Sequence, residues 1–297
     1  MIYVVVDGGQ TKTEVTVKDK NNEVRSWLES PILHPASTAG MNRLTEIVVS
    51  VLTKLSSICD EENSLKLAFS LSGFHGEEFI EAHIKQLVDA FSLRVTNTLV
   101  IPDYVGNWLS VTDGSPGIVI LSGGGTIAYG ENERGEKCRL GGWGHLLGDE
   151  GSGYWFGLQT IKAALRSMNG LSNYTLLQEV VKKYFQVNGE FELTHVLNSG
   201  RISDQEIALL LPELDRVAMS GDLVAEEIVR SGVTLLVELG VKMTEKLGNV
   251  PIYTSGGVFR ATSIKQEFLS QFQEKNLSIQ NDVIVKPGDG VLRYMGG

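Results

Sequence analysis

Three aspartates stand where a carboxylate could do chemistry. Asp7 ends an apolar strand and opens the turn DGGQT, whose N–H groups can wrap phosphates while the carboxylate holds Mg²⁺ through water. Asp103 follows the strand end LVIP and precedes a predicted short helix, so it is either a helix N-cap or a general base for an attacking hydroxyl. Asp149 lies beside Glu150 in a glycine-dense run at 141–157. These carboxylates are candidates for metal binding and proton transfer.

Two further glycine turns follow predicted strands. The turn SGGGT at 122–126 offers a second phosphate-sized cradle flanked by hydroxyl side chains. In SGGVFR at 255–260, Gly256 and Gly257 let a helix approach a strand end, where α/β sheets bind adenosine. Taken singly, each turn fits an ordinary hairpin or close helix packing equally well.

The run GGWGHLLGDEGSGYWFG at 141–157 is the most informative stretch of the chain. Glycines this dense are typical of backbone that takes positive φ or admits a ligand closely. The run also opens a helix, because Tyr154, Trp155, Leu158 and Ile161 recur at helical spacing. A carboxylate-bearing loop that feeds a helix N-terminus can hold polar ligand groups, and the alternative is a surface loop in front of a capped helix.

Composition narrows the class of protein. The 297 residues, 42% hydrophobic and 21% charged, suffice for two globular domains. A net charge of −10 argues against binding to a nucleic-acid backbone. Cys59 and Cys138 form no disulfide framework or metal spacing, the N-terminus MIYVVVDGG lacks a basic leader, and no apolar run approaches about 18 residues. We therefore predict a cytoplasmic protein with no nucleic-acid or membrane partner.

Strand and helix patterns alternate along the chain and restart near residue 117, where VILSGGGTIA repeats the form of VVVDGGQTKT. This restart predicts two related domains, 1–115 and 116–297, the second richer in helix. The predicted strands are 2–6, 13–18, 24–28, 66–71, 97–101, 117–121, 126–129, 252–254 and 282–286. The predicted helices are 44–58, with Ser37 or Thr38 near its start, 79–91, 152–168, 174–185, 204–219, 222–247 and one ending near 274.

The order of these pieces resembles the actin-like and sugar-kinase ATPase superfamily. More narrowly, the chain resembles the N-acetylglucosamine kinase family within the BadF/BadG-type ATPases. DGGQTKT and SGGGT match its two phosphate loops, PDYVG its catalytic base, TSGGVFR its adenosine loop and GGWGHLLGDEGSGYW its sugar signature. The match covers essentially the whole chain in register.

The resemblance implies an α/β fold of two actin-like (ribonuclease-H-like) domains with an interdomain cleft, ATP lying against the C-terminal domain. It implies phosphoryl transfer from MgATP to the 6-hydroxyl of an amino sugar, such as N-acetylglucosamine, glucosamine or N-acetylmuramic acid, or of a hexose. Relatives are often homodimers, so a homodimer is expected here.

The resemblance also assigns roles by position. Asp103 would be the catalytic base and Asp7 would hold Mg²⁺ through water. The expected ATP-binding residues are Gly8, Gly9, Thr11, Lys12, Gly123, Gly124, Gly125, Thr126, Gly256 and Gly257. The expected sugar-binding residues are His34, Ser72, Gly142, Trp143 and Asp149. His145 is either a ligand contact or an exposed loop imidazole.

Some positions depart from the family pattern. His34, in ILHP, stands where relatives have a sugar-binding Asn. Gln10 replaces a Gly of the first loop, and Gly124 replaces a Thr of the second. The C-terminus PGDGVLRYMGG is short where relatives close with a longer helix that packs back on the N-terminal domain, so a different brace is expected.

Two other functions are compatible with the same fold. An ATPase activator of the iron–sulfur type needs clustered cysteines, which Cys59 and Cys138 do not form locally. A non-catalytic sugar or nucleotide sensor would keep the fold, but Asp7, Asp103 and Asp149 are all in place. The sequence therefore favours a kinase.

Overall fold

The computed structural model describes residues 1–9, 11–59, 63–280 and 286–296, which form two compact units. One unit comprises Met1–Ser115 with Val283–Gly297, and the other is Pro116–Asp282. The boundary between the two units after residue 115 coincides with the boundary inferred from the restart of the strand and helix pattern. The C-terminal segment differs from that expectation, because it belongs to the first unit.

The first unit is built on a five-stranded sheet in the order β3-β2-β1-β4-β5. The central strand β1 runs antiparallel to β2 and parallel to β4, and its Val4, Val5 and Val6 are buried. The elements are β1 (Ile2–Gly8), β2 (Thr13–Lys18), β3 (Val24–Glu29), α1 (Thr38–Ile58), β4 (Ser64–Leu71), α2 (Glu78–Asp89), β5 (Arg94–Pro102) and α3 (Asp103–Thr112).

Helix α1 shows why the sequence folds this way locally. Ser37 caps it by accepting the N–H of Gly40 at 3.0 Å, as expected from its position in the sequence. Leu44, Val48 and Leu52 recur at helical spacing and are buried in the first unit's core. The buried face of α1 therefore follows the helical spacing of its apolar residues.

The second unit carries a sheet in the order β8-β7-β6-β9, with many helices packed around it. Its strands are β6 (Gly117–Ser122), β7 (Thr126–Glu131), β8 (Lys137–Gly141) and β9 (Ile252–Ser255). Its helices are α4 (Gly153–Met168), α5 (Leu177–Phe185), α6 (Glu190–Asn198), α7 (Asp204–Ala208), α8 (Leu211–Ala218), α9 (Leu223–Leu247) and α10 (Thr262–Glu274).

The structure differs from the predicted elements at several places. Strand β8 and helix α6 were not predicted, and the single helix expected at 204–219 is the pair α7 and α8. The predicted strand at 282–286 falls outside the described residues up to position 285, and Lys286 directly precedes a helix. Ser203 and Glu206 form a capping box at the start of α7.

A C-terminal helix, α11 (Pro287–Tyr294), packs on α3 and on β1 and β2. A Cβ on Gly290 would lie 2.1 Å from the Cα of Ser110, so only glycine permits this approach. Arg293 adds an ion pair to Asp113 at 2.7 Å. The short C-terminus therefore does form a helix that packs on the first unit.

Across the described ranges, no helix combines the length and apolarity needed to cross a bilayer.

Candidate functional site

The first unit brings two aspartates together at the ends of its strands. Asp7 lies at the end of β1, and Asp103 is the first residue of α3, directly after β5. Burial, together with the negative charges of Asp103 and Glu14, raises the pKa of Asp7 to about 6. A cation near this pair would relieve the repulsion between the carboxylates.

Asp103 combines burial with directed hydrogen bonds. Desolvation raises its pKa, while the hydroxyl of Ser72 and the N–H of Tyr104 donate to the carboxylate and oppose that shift. The N-cap of α3 is Pro102, so Asp103 stands at the first helical position rather than at the cap. A buried carboxylate with a raised pKa and one hydroxyl partner suits proton abstraction.

Helix α3 can present Asp103 only because Gly106 lets it approach the sheet. A Cβ at Gly106 would lie 2.4 Å from the Oγ of Ser70 on β4. The glycine of the motif PDYVG is thus explained by close packing of the helix that carries the carboxylate.

The first glycine turn is tightly closed. The N–H of Gly9 donates to the carbonyl of Lys12 at 2.9 Å, and the N–H of Ser72 donates to the carbonyl of Gly8 at 2.9 Å. Thr11 and Lys12 are exposed, and the Nζ of Lys12 lies 3.0 Å from Glu14. Gln10 lies outside the described residues.

His34 lies on the loop between β3 and α1, beside the loop that carries Ser72. Its Cδ2 would be 3.5 Å from a Cβ at Gly73, and its carbonyl accepts from Ser37. Burial raises the pKa of Glu77, but the N–H of His75 and the imidazoles of His75 and His34 outweigh it and lower that pKa. The exposed His34 ring therefore lies beside Gly73, the residue that follows Ser72.

In the second unit, the turn at 122–126 is the meeting point of the other glycine-rich segments. A Cβ at Gly256 would lie 2.1 Å from the carbonyl oxygen of Ser122, and Gly256 has a φ of 107°. The N–H of Gly153, at the start of α4, donates to the carbonyl of Gly123 at 2.7 Å. A helix N-terminus and two glycine turns therefore converge, as an anion cradle requires.

Asp149 lies against this turn in a left-handed conformation with a φ of 61°. A Cβ at Gly125 would be 2.7 Å from its Oδ2, and the carboxylate accepts from the N–H groups of Thr126 and Gly144. Burial raises the pKa of Asp149, against those hydrogen bonds. Its Oδ1 is buried and has no hydrogen-bond partner among the described residues, so one acceptor remains for a ligand hydroxyl.

Trp143 stands beside Asp149 on an open loop and is 64% exposed. The guanidinium of Arg139 lies 4.5 Å from its ring centroid and donates to the carbonyl of Gly142 at 2.7 Å. A cavity of about 390 Å³ adjoins Trp143 and Asp149 and is lined on one side by residues of α9.

His145 is not left free on the loop. Its Nδ1 lies 3.2 Å from the Oδ2 of Asp204, and its ring packs 4.8 Å from that of Tyr154. These contacts favour a role in fixing the loop over a ligand contact.

The donor set in the first unit fits Mg²⁺ held largely by water and phosphate oxygens. The part of the chain that the structure describes contains no group of three or more His, Cys, Asp or Glu side chains that could hold a metal by itself. Mg²⁺ commonly takes one or two carboxylates together with waters and substrate phosphates. Asp7, crowded by Asp103 and Glu14, offers such a carboxylate.

Sequence reasoning missed three residues near these sites. Glu14 on β2 pairs in register with Asp7 on β1. Lys286, in the C-terminal segment, forms a salt bridge with Glu14. Arg139 lies over the ring of Trp143. The period-two pattern of β2 could have placed Glu14, because it fixes which side chains share a face with Asp7.

Comparison with known proteins adds family context. The profile of the BadF/BadG/BcrA/BcrD ATPase family matches residues 4–290. An N-acetylmuramic acid/N-acetylglucosamine kinase of Clostridium acetobutylicum is 28% identical, with 95% of each chain covered. An N-acetyl-D-glucosamine kinase of Dictyostelium discoideum is 26% identical over 91% of this chain and 89% of that protein.

Among solved structures, a candidate N-acetylglucosamine kinase from Chromobacterium violaceum superimposes with a TM-score of 0.77. The alignment covers 99% of this chain and 98% of that protein at 17% sequence identity. At this identity the likeness establishes the fold, which is that of the actin-like sugar kinases.

Proposed function

The chain belongs to the BadF/BadG/BcrA/BcrD ATPase family and is a sugar kinase, and we propose that it transfers the γ-phosphoryl group of MgATP to the 6-hydroxyl of an amino sugar. The observation that carries this proposal is the environment of Asp103. A buried carboxylate at a strand end, held by the hydroxyl of Ser72 and facing Asp7, is what deprotonation of an attacking hydroxyl needs.

In the proposed reaction Asp103 accepts the proton of the sugar 6-hydroxyl. The sugar oxygen then forms a bond to the γ-phosphorus while the bond from that phosphorus to the β–γ bridging oxygen breaks, giving ADP and the sugar 6-phosphate. Ser72 orients the carboxylate by donating to it. Most of the rate would come from positioning and charge stabilisation rather than covalent chemistry.

We assign the nucleotide to the convergent glycine turns of the second unit. Gly123, Gly124, Gly125 and Thr126 would meet the terminal phosphates, and Gly256 and Gly257 the adenosine. In the first unit, Gly8, Gly9, Thr11 and Lys12 would contact phosphates, and Asp7 would hold Mg²⁺ through water. When bound, Mg²⁺ would neutralise phosphate charge as the transferred group moves.

We assign sugar recognition to His34, Ser72, Gly142, Trp143 and Asp149. The relatives described above act, by their names, on N-acetylglucosamine and N-acetylmuramic acid, which supports an amino-sugar acceptor. Asp149 has an acceptor oxygen without a partner in the described residues, as a site for sugar hydroxyls would. The homodimer and the cytoplasmic location stay predictions.

The alternative functions are not favoured. Cys59 and Cys138 lie in different units, and the named relatives are kinases rather than iron–sulfur activators. A non-catalytic sensor would have no need for the buried pair Asp7 and Asp103.

The test is an ADP-release assay with MgATP and a panel of amino sugars and hexoses, followed by Asp103→Asn. The variant should lose about 10²- to 10⁴-fold in kcat, because it removes the base, while nucleotide binding and melting temperature stay close to those of the unchanged chain. Asp89→Asn, an exposed carboxylate at the end of α2, is the control and should retain turnover. Near-normal turnover of Asp103→Asn would overturn the proposal.

A further inference from the structure

Glu14 is shared by two lysines from opposite ends of the chain. Its Oε2 lies 3.0 Å from the Nζ of Lys12 in the first glycine turn, and its Oε1 lies 2.9 Å from the Nζ of Lys286, which precedes α11. The glutamate is half-buried, whereas both ammonium groups are exposed, with side-chain exposures of 60% and 68%. One carboxylate therefore holds two mobile cations, each on its own oxygen.

The position of Glu14 gives this arrangement a consequence for the nucleotide. Glu14 is paired in register with Asp7 on the neighbouring strand, so its charge stands at the edge of the phosphate turn. Lys12 is assigned to nucleotide phosphates, but in this structure its ammonium is bound to Glu14. A phosphate must compete with Glu14 for Lys12.

We propose that Lys286 is a positioning residue for nucleotide binding: it neutralises Glu14 and thereby leaves Lys12 free to turn to the phosphates. The inference rests on the proposed kinase function. Two cations on one carboxylate each bind it less strongly than one alone, because the second cation has already compensated its charge. With Lys286 in place, withdrawal of Lys12 leaves Glu14 paired rather than isolated.

The alternative role for Lys286 is simply to dock α11. The helix has a second ion pair for that purpose, between Arg293 and Asp113, at its other end. Arg293 also donates to the carbonyl of Ser110, so it anchors the helix without involving Glu14. Arg293→Gln is therefore a matched control that loosens the helix and leaves the lysine–glutamate–lysine group intact.

The experiment measures KM for MgATP and kcat in Lys286→Met, Glu14→Gln, the double variant, Lys286→Arg and Arg293→Gln. Lys286→Met should raise KM for MgATP about two- to fivefold, the range that exposed ion pairs support, with kcat unchanged. Glu14→Gln should lower KM, since Lys12 loses its competitor. Lys286→Arg should behave as the unchanged chain, and Arg293→Gln should not alter KM.

The double variant decides the mechanism. If Lys286 acts through Glu14, Lys286→Met has no effect on KM once Glu14 is glutamine. A rise in KM that persists in the Glu14→Gln background would overturn the proposal, because Lys286 would then attract phosphate by its own charge. An equal rise in Arg293→Gln would overturn it as well, by showing helix docking alone. If the unchanged chain shows no kinase activity with any sugar, the proposed function fails rather than this inference.

Discussion

The Asp149 carboxylate lies against Gly125, with Oδ2 only 2.7 Å from where a glycine-to-alanine change would place a Cβ. A residue assigned to the sugar therefore also shapes the turn assigned to the phosphates. Because the same carboxylate accepts from Thr126 and Gly144, it ties the loop that carries Trp143 to the end of β6 and the start of β7. Binding of one substrate in the second unit should then influence binding of the other.

Asp149→Asn should weaken nucleotide binding even in the absence of sugar. The amide accepts less strongly than the carboxylate, and hydrogen bonds to a charged acceptor contribute about 1.5–3 kcal/mol, so about 10- to 100-fold is expected. Calorimetric titration with a nonhydrolysable ATP analogue measures it. Glu150→Gln, an exposed neighbouring carboxylate, is the control. If nucleotide affinity stays unchanged while sugar affinity falls, Asp149 acts on sugar binding alone and the prediction is contradicted.

Gly256→Ala should destabilise the protein and weaken nucleotide binding. Its φ of 107° is strained for any L side chain, and the added Cβ would meet the carbonyl of Ser122. Such strain costs about 1–3 kcal/mol before the clash is counted. The adjacent Gly257→Ala is the control for the melting temperature alone, because a Cβ there meets nothing within 4 Å. Equal melting temperatures for the two variants would contradict the close packing of these turns.

Gly290→Ala should disturb α3 on the side that packs against α11. The added Cβ would overlap Ser110, so α11 or α3 must move, at a cost of about 1–3 kcal/mol. Because α3 carries Asp103, kcat should fall together with the melting temperature. Gly288→Ala in the same helix places its Cβ at an ordinary 3.8 Å from Thr16 and Val5 and should be neutral. A fully active Gly290→Ala variant would show that α11 does not position the base.

The burial of Asp7 makes the stability of the unliganded protein depend on pH. Its pKa rises from 3.8 to about 6 on folding, so between these values the folded state holds a proton that the unfolded chain has released. Stability should therefore decline as pH rises through this window. Asp7→Asn should make the decline shallower and raise the melting temperature at pH 7, while activity falls.

Melting curves between about pH 4 and 7 test this, with the exposed Asp89→Asn of the same unit as control. A flat profile for the unchanged chain, or the same slope in Asp7→Asn, is the contrary result. Activity should show the opposite trend to stability. Because the pKa of Asp103 is raised, its carboxylate becomes protonated at a higher pH than an ordinary aspartate does. Activity should therefore begin to fall at a higher pH as the solution is acidified.

Local patterns predicted most of the fold, and the motifs predicted the family, which the profile match confirms. Strand β8 was missed because KCRLG is short and places two cationic side chains among five residues. Helix α6 was missed because only Leu193 of its residues is buried. The glycine turns were recognisable one by one. Their convergence was not, because the contact of Ser122 with Gly256 depends on how distant strands pair. The roles assigned to the site residues stay predictions.

The C-terminal helix also affects the order in which the two units can fold during synthesis. The salt bridge of Glu14 to Lys286 joins residues 272 apart, and the whole second unit lies between them. During synthesis the second unit is contiguous and can fold as soon as it emerges, whereas the first unit must wait for α11 to follow it. The unit whose translation begins first is therefore completed last. Truncation within α11 should expose the surface of α3 in a chain whose second unit is already folded.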